Sequence, residues 1–225
     1  MTTRRILVIN PNSNRTVTAG IDAAVASARR PGELDIDCVT LDEAPFGIET
    51  DEDIAAVVPM VVHRISADCP HYDAFVIACY SDPGLNESRT ICKKPVFGIH
   101  ESAVALSASF ERRFGVLALG RESIQRHIAY VRSIGMQEFH AGERPLGLSV
   151  DAAANDPDSL ARIVATGREL IDEDGAETLV LGCAGMARHR RAAQEQLGVP
   201  VIDPVQAAVT MAQQSFEPLA EQVAT

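Results

Sequence analysis

Short β-branched runs alternate with longer helical patterns along almost the whole chain, and no other feature narrows its possible folds as much. Apolar runs at 5–9, 34–41, 74–78, 96–99, 114–119, 178–181 and 201–202 read as strands. The stretches at 16–29, 51–67, 102–110, 124–133, 157–173, 188–197 and 205–214 carry helical patterns. Asp156 followed by Pro157 fits an N-cap with proline at the first helical position. Strict alternation of this kind implies parallel sheet covered by helices on both faces. In such sheets ligands bind beyond the carboxyl ends of the strands.

The pattern also repeats. "FVIACYSDPG" places Cys79 where an apolar run breaks, and "TLVLGCAGMA" does the same for Cys183, 104 positions later. "PVFGIHESAV" from Pro95 and "PVIDPVQAAV" from Pro200 are 105 apart and share their first and last two residues. "ILVINPNS" from Ile6 and "GVLALGRE" from Gly115 are similarly offset strand-to-loop transitions. These landmarks predict an α/β fold of two similar lobes with mainly parallel sheets, related by a pseudo-twofold, with the two thiols facing a common cleft. The first lobe is expected to take residues 1–97 plus about 206–225, and the second 98–205.

Composition removes several function classes. The 225 residues carry 20 Lys and Arg against 31 Asp and Glu, a net charge of −11, which disfavours nucleic acid and anionic membrane as partners. No apolar run approaches the 18 or so residues of a membrane span, and the N-terminus leads straight into a strand, so a cytoplasmic protein is expected. Five cysteines, an odd number, argue against a disulfide framework. Without C-x-x-C, H-x-x-H or a glycine-rich phosphate loop, neither a metal nor a nucleotide cofactor is expected. What remains is a small-molecule substrate handled by side chains alone.

A thiol at a strand's end, just ahead of a helix, meets unpaired N–H groups and a positive dipole end. Both favour thiolate and predict a value below the usual one of about 8.5. Asp82-Pro83 reads as the N-cap and first residue of the helix after Cys79, and the small residues around Cys183 leave room for a ligand. Two such thiols across a cleft suit proton removal from one face of a carbon and delivery to the other, which is racemisation by two bases. Nearby amides would stabilise the enolate-like intermediate without a metal. Free cysteine is more often packing than chemistry, and Cys38, Cys69 and Cys92 are read that way.

Other polar residues are read in both ways. Asn10 at the tip of the first strand is a ligand contact, whereas Asn12 and Ser13 fit ligand binding and turn-forming equally. In the acidic loop "DEAPFGIETDED", Phe46 and Ile48 are the apolar residues that would flank a pocket. Ser102 reads as a helix N-cap, His189 as part of a solvated helix face, and Arg121 as a surface residue.

Together "ILVINPNS", "PFGIETDED", "IACYSDPGL", "KPVFGIHESA", "LVLGCAGMA" and "PVIDPVQAA" resemble the hydantoin/allantoin racemase family of the Asp/Glu racemase superfamily. The resemblance runs over nearly the whole chain. It implies a two-lobed α/β fold with its active site in the cleft between lobes, cofactor-independent racemisation, and a homo-oligomer. It implies Cys79 and Cys183 as acid/base residues, with Asn10, Ser81, Gly182 and Ala184 lining the pocket and Ile48 and Glu49 on its lid. "ALGRES" stands where paired threonines are usual in the family, and Ser81 where glycine is common.

The expected activity is racemisation at C5 of a 5-substituted hydantoin, allantoin among them. An amino-acid racemase of the Asp/Glu type and a maleate cis–trans isomerase remain open on the same fold. A catalytically silent heterocycle-binding protein is the rival from another class.

Overall fold

A computed structural model describes residues 3–217 of the chain. Among these are eight strands in two four-stranded sheets, every pairing within a sheet parallel. The first sheet holds β1 (Arg4–Asn10), β2 (Leu34–Thr40), β3 (Ala74–Ile77) and β4 (Val96–Gly98) in the order β2-β1-β3-β4. The second holds β5 (Phe114–Ala118), β6 (His140–Pro145), β7 (Thr178–Leu181) and β8 (Val201–Ile202) in the order β6-β5-β7-β8. The two orders are the same once four is added to each strand number. The 104-residue offset between the two thiols therefore records one topology used twice.

The central strands show why these runs become sheet. Ile6 to Ile9, Ala74 to Ile77, Phe114 to Ala118 and Thr178 to Leu181 are buried residue by residue, on both faces. Continuous apolar runs of this length fit only strands covered by helices above and below. Each fully buried Val, Leu or Ile contributes about 1.5–3 kcal/mol of transfer free energy. The core is not divided between lobes. Val8 and Val76 of the first sheet belong to the same buried cluster as Val116 and Val180 of the second, together with Val205 and Val209.

The helices are α1 (Arg15–Val25), α2 (Asp51–Asp68), α3 (Leu85–Ile91), α4 (Ile99–Ser109), α5 (Arg121–Ser133), α6 (Val150–Asn155), α7 (Ser159–Asp172), α8 (Arg190–Leu197) and α9 (Pro204–Gln214). Several begin on caps written in the sequence. Asn14 accepts from the Thr16 N–H, Thr50 and Asp53 form a reciprocal capping box, and Asp203 caps α9 with Pro204 at its start. Helix α9 packs on α1, α4, β3 and β4. The C-terminal stretch assigned to the first lobe at 218–225 lies outside the described residues.

Several expectations need correction. Asp156 does not cap α7, which starts at Ser159; the Asp156 carboxylate accepts from the Asp158 N–H in the preceding turn instead. Strand β6, "HAGERP", has no apolar run to mark it, and is held by pairing with β5 and by Arg144. Arg144 bonds Glu169 at 3.0 Å, Glu173 at 2.7 Å and Asp174 at 2.6 Å, tying the strand to the end of α7. His189 is buried rather than solvated, because the 3-10 turn at 184–189 packs against α1. Among the described residues no helix is long and apolar enough to cross a membrane.

The largest departure concerns cysteine. Cys69 and Cys92 form a disulfide that joins the C-terminal ends of α2 and α3. An odd count excludes full pairing but not one bridge, and these two chain positions meet only after folding. The bridge closes a loop of 23 residues of sequence separation. Losing it by Cys92→Ser is expected to destabilise the fold by about 2–4 kcal/mol, read as a lower melting temperature. Thiol titration of denatured, unreduced protein should find three reactive groups, for Cys38, Cys79 and Cys183. Finding five would show that the bridge does not form.

Candidate active site

The two thiols occupy equivalent places. Cys79 lies two residues beyond β3 and Cys183 two residues beyond β7, at the carboxyl ends of the corresponding strands of the two sheets. Both line one cavity of about 320 Å³ between the lobes, at the small end of ligand pockets. A backbone N–H two residues on favours the thiolate at each sulfur: that of Gly185, donated to Cys183 Sγ at 3.4 Å, and that of Ser81 at Cys79.

The loop bearing Cys79 is fixed from below. The Asp82 N–H donates to the Cys79 carbonyl at 2.9 Å, closing a tight turn that places Asp82 at φ 45°. That left-handed backbone is unfavourable for a residue with a side chain. It is held because the Asp82 carboxylate accepts from the His100 N–H at 3.0 Å and the Glu101 N–H at 2.9 Å. Asp82 is thus the cap of α4, not of the helix that follows it, and Ser102 is not the cap either: its hydroxyl donates to the Gly98 carbonyl. Helix α3 starts later, at Leu85, with Gly84 at φ 73° as N-cap. Gly98 makes the arrangement possible, since a Cβ there would lie 2.2 Å from the Asp82 carboxylate. Gly182 plays the matching part beside Cys183, where a Cβ would come within 2.7 Å of the Leu117 carbonyl oxygen.

Burial, not a helix dipole, dominates the ionisation of both sulfurs. It pushes Cys79 up to about 12, against the pull of the Ser81 N–H. It pushes Cys183 up to about 11, against the pull of the Gly185 N–H. For Cys79 the expected low value is overturned because α3 begins six residues on, too far for its N-terminus to act. Cys183 does cap the 3-10 turn at 184–189, but burial there outweighs the Gly185 N–H. In the ligand-free protein both groups are neutral thiols at pH 7. Burial also lifts Asp82 to about 7, with the Glu101 and His100 N–H groups opposing it.

Of the other residues picked from sequence, Ser81, Gly182, Ala184, Ile48 and Glu49 all line the cavity. Glu49 reaches across the lobes, its Oε1 accepting from the Val150 N–H at 2.9 Å. Phe46 points outward and is 59% exposed. Asn10 is a correction, since it does not line the cavity. Its Nδ2 lies within hydrogen-bond distance of Asn12 Oδ1, the Asn14 carbonyl and Thr18 Oγ1, while its Oδ1 accepts from the Asn12 N–H. It is spent on shaping the turn, and its neighbour Asn12 reaches the cavity. Ser13 serves the same turn by donating its N–H to the Pro45 carbonyl.

Two groups of lining residues escaped the sequence reading. One is the face of α5 formed by Glu122, Ser123, Arg126 and His127; the other is the loop at 147–150 that follows β6. In the cavity wall, Tyr80 meets the edge of His127 at 4.9 Å and stacks at 4.4 Å on His100 behind it. His127 Nδ1 is 2.9 Å from Glu143, whose side chain is fully buried. The helical spacing of 122, 123, 126 and 127 was the available signal, but nothing in one sequence says which face of α5 meets a pocket.

The profile of the family described as Asp/Glu/Hydantoin racemase matches residues 6–212. A hydantoin racemase of Pseudomonas sp. (strain NS671) is 37% identical over 211 residues, covering 93% of this chain and 84% of that protein. One of Paenarthrobacter aurescens is 35% identical over 214 residues, covering 93% and 89%. Among solved structures, an allantoin racemase from Klebsiella pneumoniae superposes with a TM-score of 0.89 at 30% identity, covering 94% of this chain and 87% of that one.

Gly98→Ala is expected to drive the Asp82 carboxylate off the start of α4, at about 1–3 kcal/mol in stability. It should also change the alkylation rate of Cys79 while leaving Cys183 nearly unaffected. Unaltered melting together with unaltered alkylation would show that the loop is held by something else.

Proposed function

Because the chain belongs to the Asp/Glu/hydantoin racemase family and is a racemase, we propose that it interconverts the enantiomers of a 5-substituted hydantoin. Cys79 and Cys183 act as the acid/base pair, in a cleft between lobes that divide near residues 97 and 206. One observation carries the reading: two thiols at equivalent strand ends of separate sheets line one small cavity.

The chemistry follows from the carbon. C5 of a hydantoin lies between a carbonyl and a ring nitrogen, so its proton is already acidic. One sulfur, as thiolate, takes that proton, and the electron pair moves onto the adjacent carbonyl to give an enolate. The other sulfur, as thiol, delivers its proton to the opposite face. Substrate and product are isomers, and the two sulfurs have exchanged protonation states. Each sulfur thereby alternates between base and acid. The Gly182 N–H is held by the Leu117 carbonyl at 2.9 Å, and Gly182 serves by leaving room for the ring, while the Ala184 N–H would meet the enolate oxygen. Ile48 and Glu49 close the cavity from the lid, and Ser81 adds a hydroxyl to its wall.

A hydantoin fits these walls better than an amino acid or a diacid. The ring offers two carbonyls and two N–H groups to Asn12, Ser81, Ser123 and Ser149, all neutral donors and acceptors lining the cavity. A free carboxylate would face two carboxylates, Glu49 and Glu122, against one arginine in the cavity wall. Allantoin, a hydantoin with a ureido group at C5, suits the same polar wall.

Single enantiomers of allantoin and of alkyl and aryl hydantoins should lose optical rotation with the enzyme, while aspartate, glutamate and maleate remain unchanged. Solvent deuterium should enter at C5. Cys79→Ser and Cys183→Ser are each expected to lower the rate by about a thousandfold or more. Full activity in either variant would end the two-base proposal. Since both thiols ionise only at about 11 to 12 in the ligand-free protein, the thiolate is scarce at pH 7 and grows as pH rises. kcat/KM should therefore climb from pH 7 to pH 10; a fall over that range would contradict thiolate as the base.

A further inference from the structure

The proposed reaction places a negative charge, first on sulfur and then on the enolate, in a cavity whose other fixed charges are mostly negative. Glu49 and Glu122 line it, and Asp82, lifted by burial to about 7, adds to them behind Cys79 as it ionises. His127 is committed to Glu143, and Cys183 is the second sulfur. Among the described residues, Arg126 is the one Lys or Arg in the cavity wall.

Its surroundings leave it partly unmatched. Arg126 Nη1 donates to Asp51 Oδ1 at 2.7 Å and to the Glu122 carbonyl at 3.3 Å. Asp51 is the first residue of α2, directly after the lid, and its side chain is 75% exposed. The Arg126 side chain is far less exposed, at 29%, and its buried Nε has no partner. A carboxylate in water screens its partner weakly towards the interior, so part of the positive field remains directed into the protein. A buried donor without an acceptor also marks unused capacity at this spot.

We infer that Arg126 supplies the positive charge that stabilises the Cys79 thiolate and the enolate formed beside it, and that Asp51 tempers that charge from the solvent side. The inference rests on the two-thiol reading above. The direction of its electrostatic effect agrees, since Arg126 opposes the burial that holds Cys79 neutral. Arg126 acts through the field at sulfur, and thus as a charge-balancing residue for the same reaction.

The test measures the rate of Cys79 alkylation by iodoacetamide at fixed pH values from about 8 to about 10 in the Cys183→Ser background, with the modified peptide read by mass spectrometry. Below the value of about 12 for Cys79 the rate follows the thiolate fraction. Arg126→Gln should lower that rate about tenfold at each pH. Arg126→Lys should restore most of it, and Asp51→Asn should raise it. In the protein with both thiols, Arg126→Gln should lower kcat about tenfold or more, with a smaller change in KM, and shift the rise of kcat/KM to higher pH. A Cys79 alkylation rate unchanged in Arg126→Gln, with folding intact by melting temperature, overturns the inference. If that variant does not fold, Asp51→Asn decides: a faster alkylation supports the inference and an unchanged one overturns it. Alkylation involves no substrate, so it separates the two ideas. Undiminished racemisation in Cys79→Ser would sink the two-thiol mechanism and leave the alkylation result standing.

Discussion

Each sheet buries its two central strands on both faces, and most of the structure follows from that requirement. Continuous apolar strands need helices above and below, so the chain must cross over after every strand. Parallel crossovers gather the carboxyl ends of β1 and β3 at one edge, and those of β5 and β7 at the other. With one core cluster shared between the sheets, these edges are brought face to face. The cavity is the space that remains between two sets of strand ends, and the two sulfurs stand where an α/β sheet places its working residues.

The same burial sets a difficulty for chemistry. Removing a thiol from water favours its neutral form, and here that effect exceeds the help from a single N–H at each sulfur. A strongly ionised sulfur would be a poor proton donor, however, and the proposed reaction needs one donor and one acceptor at any moment. Two thiols at equivalent strand ends, each raised by removal from water and opposed by the N–H two residues on, are matched for exchanging those parts. A neutral resting site also avoids placing two negative sulfurs together in a space of about 320 Å³.

Much of this was legible in the sequence, for local reasons. The central strands announce themselves as apolar runs, and Cys79 and Cys183 by breaking two of them at corresponding places. What could not be read was supplied from elsewhere in the fold. Strand β6 has polar and ionic residues at most positions and exists because β5 pairs with it and Arg144 anchors it to α7. Helix α6 is short, and its first N–H is met by Glu49 from the other lobe. Asp82 looked like a cap for the helix after it, but its carboxylate reaches the start of α4. Asn10 shows the converse failure. An amide at a strand tip reads the same whether a ligand or its own turn uses it, and here the turn does.

The bond between Glu49 and the Val150 N–H bears on traffic through the cavity. One carboxylate oxygen on one backbone amide joins the loop before α2 to the opposite lobe. A hydrogen bond to a charged group contributes about 1.5–3 kcal/mol, and the buried Ala44 and Ile48 of the same loop add their packing. Even together these are small against global unfolding, so the seat of the loop is separable from the stability of the strands that hold the sulfurs.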